Sequence, residues 1–171
     1  MFRFLMMTVF AVAFTATPIA VPVAAKDLSK PQEEVVLTVS NAAVTNMDGA
    51  AVLDLAMLEQ LGARSFETTT IWTDGPQQFD GVSLATLIDA LGMQGDALRA
   101  TAINDYSVTI PLEDISDEGA MIAFRMNGAP MSVRDKGPLW IVYPYDSDPR
   151  FQTEIIYSRS IWQLDRLEVL N

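Results

Sequence analysis

The chain has 171 residues, half of them hydrophobic, with 22 acidic side chains against 11 basic ones, and it contains neither cysteine nor histidine. A net charge of −11 repels nucleic acid and anionic lipid surfaces. Without Cys or His there is no thiolate nucleophile, no imidazole base, no Ser-His-Asp triad, no disulfide and no nitrogen or sulfur metal ligand. What stays open is a Ser-Lys pair or a carboxylate site for Mg²⁺ or Ca²⁺. Beyond Arg3, however, the only lysines are Lys26, Lys30 and Lys136, and none lies in an apolar run that would lower its pKa.

Met1-Phe2-Arg3 followed by the apolar stretch Phe4 to Phe14 and the small residues Val23-Ala24-Ala25 has the three parts of a cleavable signal peptide over residues 1–25. A retained anchor is the competing reading. The uninterrupted apolar run falls short of the roughly 20 residues a spanning helix needs, and Pro18 and Pro22 interrupt the segment after it. Cleavage after Ala25 leaves one domain, residues 26–171, in the periplasm, with a net charge near −12 once Arg3 is gone.

Lys26 to Glu34 is a polar lead-in, and the β-branched run Val35 to Val39 predicts a strand, with turn chemistry at Asn46-Met47-Asp48-Gly49. Leu53 to Leu61 predicts a short helix closed by Gly62. Phe66 to Trp72 reads as a second strand, turned by Thr73-Asp74-Gly75-Pro76. Ser83 to Leu91 is the clearest helix, with Ser83 as N-cap, Leu84, Leu87, Ile88 and Leu91 at helical spacing, and Gly92 as terminator.

Ala100 to Ile110 reads as a hairpin or a pair of short strands bent at Asn104-Asp105, and 112–119 as an acidic turn or short helix. Ala120 to Met126 is a strand leading into the Asn127-Gly128 hairpin signal, and Leu139 to Tyr143 is the most apolar strand. A polar loop through Asp146, Asp148 and Arg150 precedes a closing strand within Ile161 to Leu170. Asp146 and Asp148 are spaced like the start of a calcium loop, but the remaining carboxylates and the glycine are missing. The whole predicts an α+β domain, mainly β, with two small helices inserted.

Several segments in order carry a resemblance. Phe79-Asp80-Gly81-Val82-Ser83-Leu84, Asn104-Asp105-Tyr106, Ile110-Pro111-Leu112-Glu113-Asp114, Asn127-Gly128-Ala129-Pro130-Met131 and Gly137-Pro138-Leu139-Trp140 resemble elements of the sulfite-oxidase-type molybdopterin-binding domain. The resemblance runs from about residue 35 to 171 and implies that domain's fold. In the enzymes of that family a cysteine thiolate holds molybdenum before the "F-x-G-V-P-L" element; here Trp72 stands at the matching place, and Trp140 takes the place of the family's arginine after "G-x-P". An indole cannot act as a thiolate ligand.

With Thr70-Ile71-Trp72-Thr73-Asp74-Gly75 the chain resembles the PruR-type pterin-binding proteins, which bind a reduced pterin in the periplasm and report it to a membrane enzyme controlling cyclic di-GMP. The resemblance implies a pterin ligand without molybdenum, no catalysis, and a partner that is the extracytoplasmic domain of an inner-membrane signalling protein, either a cyclic di-GMP enzyme or a histidine kinase. A molybdenum oxidoreductase and a ligand-free interaction domain are the alternatives.

A pterin is flat and rimmed with donors and acceptors, so its site needs aromatic faces and fixed polar groups. Trp72 is the candidate for stacking, with Thr73 and Asp74 at the ring edge. Asn104, Asp105 and Tyr106 at the strand bend are the next candidates. Tyr143, Tyr145, Tyr157 and Arg159 belong to the stretch that closes over the cofactor in the larger family. Trp140 reads as core and Trp162 is left open, while Asp114, Asp117 and Glu118 form a solvated acidic face or a dock for a basic partner.

Overall fold

The computed structural model describes residues 28–171; the expected signal peptide and its cleavage point lie outside the described residues. Among the described residues no helix is long and apolar enough to cross a membrane.

Strand β1, Val35–Ser40, alternates as a half-buried strand should, with Leu37 and Val39 fully inside. The two-residue turn at Asp48 and Gly49, both at positive φ, leads into β2, Ala51–Asp54, every residue of which is buried. The sequence assigned residues 53 and 54 to a helix. The helix α1 is instead Leu55–Gln60, because Asp54 adopts an extended conformation and its carboxylate caps the N–H of Met57 at 2.9 Å.

The second predicted strand also changes. β3 spans Arg64–Thr68 and stops there, so Trp72 lies in the following turn and not at a strand end. Thr-rich sequence favours a strand, but the Asp146 side chain takes the Thr69 N–H and hydroxyl and turns the chain out of the sheet.

β4, Gln77–Ser83, contains the Phe79-Asp80-Gly81-Val82 motif and was not expected as a strand. Gly81 explains its glycine: a Cβ there would lie 2.2 Å from the Ile122 carbonyl oxygen of the neighbouring strand. α2, Leu84–Leu91, follows at once, burying Leu84, Leu87 and Leu91 and ending at Gly92 with φ of 59°. Ser83 precedes it as expected, but its hydroxyl does not cap the helix and is buried without a partner among the described residues.

β5, Ala97–Ala102, and β6, Ser107–Pro111, form the hairpin that the bend at Asn104-Asp105 announced, with Asp105 at φ of 66°. β7, Met121–Met126, turns back through Asn127 and Gly128, both left-handed, into the short β8, Ala129–Pro130. β9 is Leu139–Val142 and β10 is Trp162–Leu170. Between them lies a third helix, α3, Glu154–Arg159, capped by Thr153, in a stretch whose polarity reads as loop.

Among the described residues ten strands form one curled sheet; seven follow the order β2-β1-β10-β9-β7-β4-β3, while the β5–β6 hairpin joins through β10 and β8 pairs with β7. β10 is the branch point. Its first residues pair with β9, the rest pair with β5 on one side, and its middle runs parallel to β1 on the other. A bulge at Gln163, φ of 53°, permits the change of partner.

Alternation along β7 and β9 feeds two cores. Ile122, Phe124, Leu139 and Ile141 join the larger core, which holds α1 and α2, while Met121, Ala123, Trp140 and Val142 join a smaller one with Phe79. Each fully buried large apolar side chain stabilises the fold by about 1.5–3 kcal/mol. Trp72 packs on both cores. The fold is therefore a mainly β, single-domain α+β structure, with three short helices rather than two.

Candidate functional site

Trp72 is the hub of an aromatic cluster. Its ring meets Trp140 at 5.8 Å, Trp162 at 5.7 Å, Tyr157 at 5.9 Å and Tyr145 at 6.3 Å between centroids, all edge to face. Such pairs contribute about 0.5–1.5 kcal/mol each beyond area burial. Trp140 is buried completely, its indole N–H donating to the Ser160 carbonyl at 3.1 Å, so the ring expected as core is core.

A cavity of about 290 Å³ opens beside this cluster. Trp72, Tyr106, Tyr157 and Trp162 form its aromatic walls, Ala102 and Ile161 add apolar surface, and Asn104, Ser158, Ser160 and Gln163 supply polar atoms. These residues come from the turn after β3, the β5–β6 bend, the end of α3 and the start of β10.

The Trp72 turn is pinned from below. Asp146 accepts from the Thr69 N–H at 2.5 Å and from its hydroxyl at 2.7 Å, while its own N–H donates to the buried Thr68 hydroxyl at 3.1 Å. These bonds, the Thr69 N–H first, hold the Asp146 carboxyl below its ordinary pKa. Asp148 accepts from the Arg150 N–H at 2.9 Å. The two carboxylates are thus occupied with local structure, and among the described residues no group of three or more His, Cys, Asp or Glu is placed to hold a metal ion. Replacing Asp146 with alanine is expected to loosen the turn and weaken ligand capture by about tenfold, as one or two charge-assisted hydrogen bonds are lost. Ligand titration of D146A beside a melting curve checks it.

Of the residues singled out from sequence, Trp72, Asn104, Tyr106 and Tyr157 meet at the cavity. Thr73 and Asp74 are not in its lining; with Ile71, Trp72 and Gln77 they border a separate open depression of about 560 Å³. Thr73 shares a hydroxyl contact of 2.8 Å with Thr70. Asp105 points away, 82% exposed, and pairs with Arg166 at 2.9 Å.

Tyr143 and Tyr145 are core residues, each 2% exposed. Burial drives the Tyr143 hydroxyl up to about 12, against a smaller opposing pull from Arg159, and burial likewise raises Tyr145, whose hydroxyl donates to Ser160 Oγ at 2.6 Å. Arg159 is mostly buried and held by Asp114 at 3.0 Å, outside the cavity lining. The acidic face is also partly spoken for, since Arg150 approaches Glu118 at 3.5 Å and Arg64 donates to the Asp117 and Glu118 carbonyls.

Ser158, Ser160 and Gln163 had no signal in the sequence. Trp162 showed as an aromatic at a strand start, yet only its 39% exposure beside Trp72 marks it as part of the site.

The family model of the oxidoreductase molybdopterin-binding domain matches residues 25–146. The chain belongs to that family. A search of curated proteins finds no match.

In this molybdopterin-binding domain the donor set does not suit molybdenum. The chain has no thiol and no imidazole to offer a metal, no charged residue lines the cavity, and Trp72 fills the place that the resemblance gives to the cysteine. What the arrangement does supply is a flat aromatic wall with neutral hydrogen-bonding groups around it. Among the described residues the Tyr106 and Tyr157 hydroxyls, the Asn104 amide nitrogen and the Gln163 amide oxygen have no hydrogen-bond partner, whereas Ser160 Oγ is engaged twice, with Tyr145 and with the Ile156 carbonyl.

Proposed function

We propose that this protein is a non-catalytic pterin-binding protein of the periplasm that relays its ligand status to the extracytoplasmic domain of a membrane-bound signalling partner, a cyclic di-GMP enzyme or a histidine kinase. The observation that carries the reading is Trp72. It stands half-buried on the wall of the 290 Å³ cavity, among three other aromatic rings and four neutral polar side chains, in a family whose ligand is a pterin. That volume is at the lower end of the roughly 300–1,000 Å³ of small-molecule pockets, a scale that suits a bicyclic ring. The expected export signal supports the compartment. The likeness to PruR-type proteins supports the relay.

The test is direct. Purified residues 26–171 are titrated with tetrahydroneopterin while tryptophan fluorescence and binding heat are followed. Saturable quenching with a matching heat supports the reading; neither signal at millimolar ligand overturns it. Stoichiometric molybdenum in the purified protein by elemental analysis would instead revive the oxidoreductase alternative.

A further inference from the structure

All three tryptophans and three of the four tyrosines of the chain belong to one connected set of rings. Trp72 is its centre, 5.7 Å from Trp162, 5.9 Å from Tyr157 and 5.8 Å from Trp140 between centroids. The chain has no thiol, so a one-electron oxidant acts first on its indoles and phenols. Rings this close exchange an electron directly, because tunnelling weakens steeply only as the gap between them widens.

The rings differ in where a proton can go. Losing an electron makes an indole N–H or a phenol O–H strongly acidic, and the hole comes to rest where that proton can leave. The Trp140 N–H is held by the Ser160 carbonyl at 3.1 Å, and the Tyr145 hydroxyl by Ser160 Oγ at 2.6 Å, which itself donates to the Ile156 carbonyl at 2.8 Å. None of these acceptors is a base, and burial penalises the charge that would be left behind. Tyr157 differs: it lines the cavity, and its hydroxyl, without a protein partner among the described residues, is not buried. Trp162, 39% exposed, lines the same cavity. Among the described residues no tyrosine ring pairs with Trp162 directly, and Trp72 bridges the two.

We infer that Trp162, Trp72 and Tyr157 form a one-electron relay that takes up oxidising equivalents at the exposed indole and settles them on the Tyr157 phenol. This goes beyond the binding reading and does not depend on it. A radical oxidant takes one electron from Trp162 and becomes its anion, while the indole proton passes to water. One electron then moves from Tyr157 through Trp72 to the Trp162 radical, which regains a proton from water as the Tyr157 hydroxyl releases one. The phenoxyl radical is the more stable of the two once its proton has gone, so the transfer runs downhill. The same route drains a hole from Trp140, which shares the smaller core with Met121 and Met131, where oxidation to the sulfoxide would set a polar group in apolar packing.

The experiment generates azidyl radicals, one-electron oxidants selective for indole, by pulse radiolysis of the intact mature protein in azide solution, and follows the indolyl and phenoxyl absorbances. The indolyl signal is expected to decay into phenoxyl by a first-order process whose rate does not change with protein concentration. Trp72→Phe keeps an aromatic ring but one much harder to oxidise, and should slow that transfer by about tenfold or more. Tyr157→Phe is the second arm and should remove most of the phenoxyl yield while leaving the initial indolyl signal. No phenoxyl growth, or growth that scales with protein concentration, overturns the relay. An unchanged rate in W72F removes Trp72 as the bridge, and an unchanged phenoxyl yield in Y157F removes Tyr157 as the terminus; either result overturns the inference. Pterin binding is read separately by titration, so failure of the relay leaves that reading standing.

Discussion

Replacing Trp72 with alanine is expected to abolish pterin capture, a loss of at least about a hundredfold, equal to roughly 2.7 kcal/mol. The indole lines the cavity and is the wall against which the proposed flat ligand would pack, and its removal also opens the space between the cavity and the smaller core. Four edge-to-face partners lose their common neighbour. Truncating a fully buried Trp costs about 3–5 kcal/mol of stability, and a half-buried one less, so about 2–3 kcal/mol is expected here. Trp72→Phe separates the two effects, since it keeps an aromatic face and most of the packing. W72F should retain capture within about tenfold, a difference of roughly 1.4 kcal/mol, and melt close to the unsubstituted protein. If W72A stays folded by near-ultraviolet dichroism and still binds as tightly, Trp72 is not the stacking residue.

The largest stability effect is expected at Asp54, which is far from the cavity. Its carboxylate is 1% exposed and accepts three backbone N–H groups: Met57 at 2.9 Å, Gln32 at 2.7 Å and Glu33 at 3.1 Å. It thereby caps α1 and ties the N-terminal lead to β2. Asp54→Ala removes the cap and leaves N–H groups without acceptors, a cost of about 3–4 kcal/mol from hydrogen bonds to a charged group at about 1.5–3 kcal/mol each, partly recovered by water at Gln32 and Glu33. Urea denaturation measures it.

The same group sets an acid dependence. Burial works to raise the Asp54 pKa, but the backbone bonds, Met57 foremost, outweigh it and hold the carboxyl below its usual 3.8. A carboxyl whose folded pKa is depressed stabilises the fold above its unfolded pKa, and that contribution disappears as the pH falls through the folded value. The protein should therefore lose stability below about pH 4, and Asp54→Asn should show a shallower acid-side slope in the same titration. An equal slope in the variant would assign the acid transition to other carboxylates.

Much of the architecture is written in local chemistry. The β1 alternation, the α2 spacing closed by Gly92, the Asn127-Gly128 hairpin and the apolar β9 run each follow from side-chain period or from residues tolerant of positive φ. The misreadings have separate physical causes. Leu53 and Asp54 of β2 looked helical because the strand's four residues are buried on both faces and so lack alternation. β3 looked longer because Thr69 and Thr70 suit a strand, and a carboxylate 77 residues away decides otherwise. α3 looked like loop because it buries no residue fully and carries no apolar stripe.

The sequence by itself determined the missing chemistry and the family motifs and singled out Trp72 as a candidate, because these depend on which residue types exist and in what order. No arrangement in space can give this chain a thiolate or an imidazole. Only the tertiary structure decided which candidates share a site. Asn104 and Asp105 are neighbours in sequence, yet the left-handed turn at Asp105 sends its carboxylate to Arg166 and leaves Asn104 at the cavity. Ser158 and Gln163 join Trp72 because β10 changes partner at its bulge and brings the end of α3 against the turn after β3. A pocket assembled from four segments far apart in the chain depends on strand pairing, and strand pairing is settled by burial across the whole sheet.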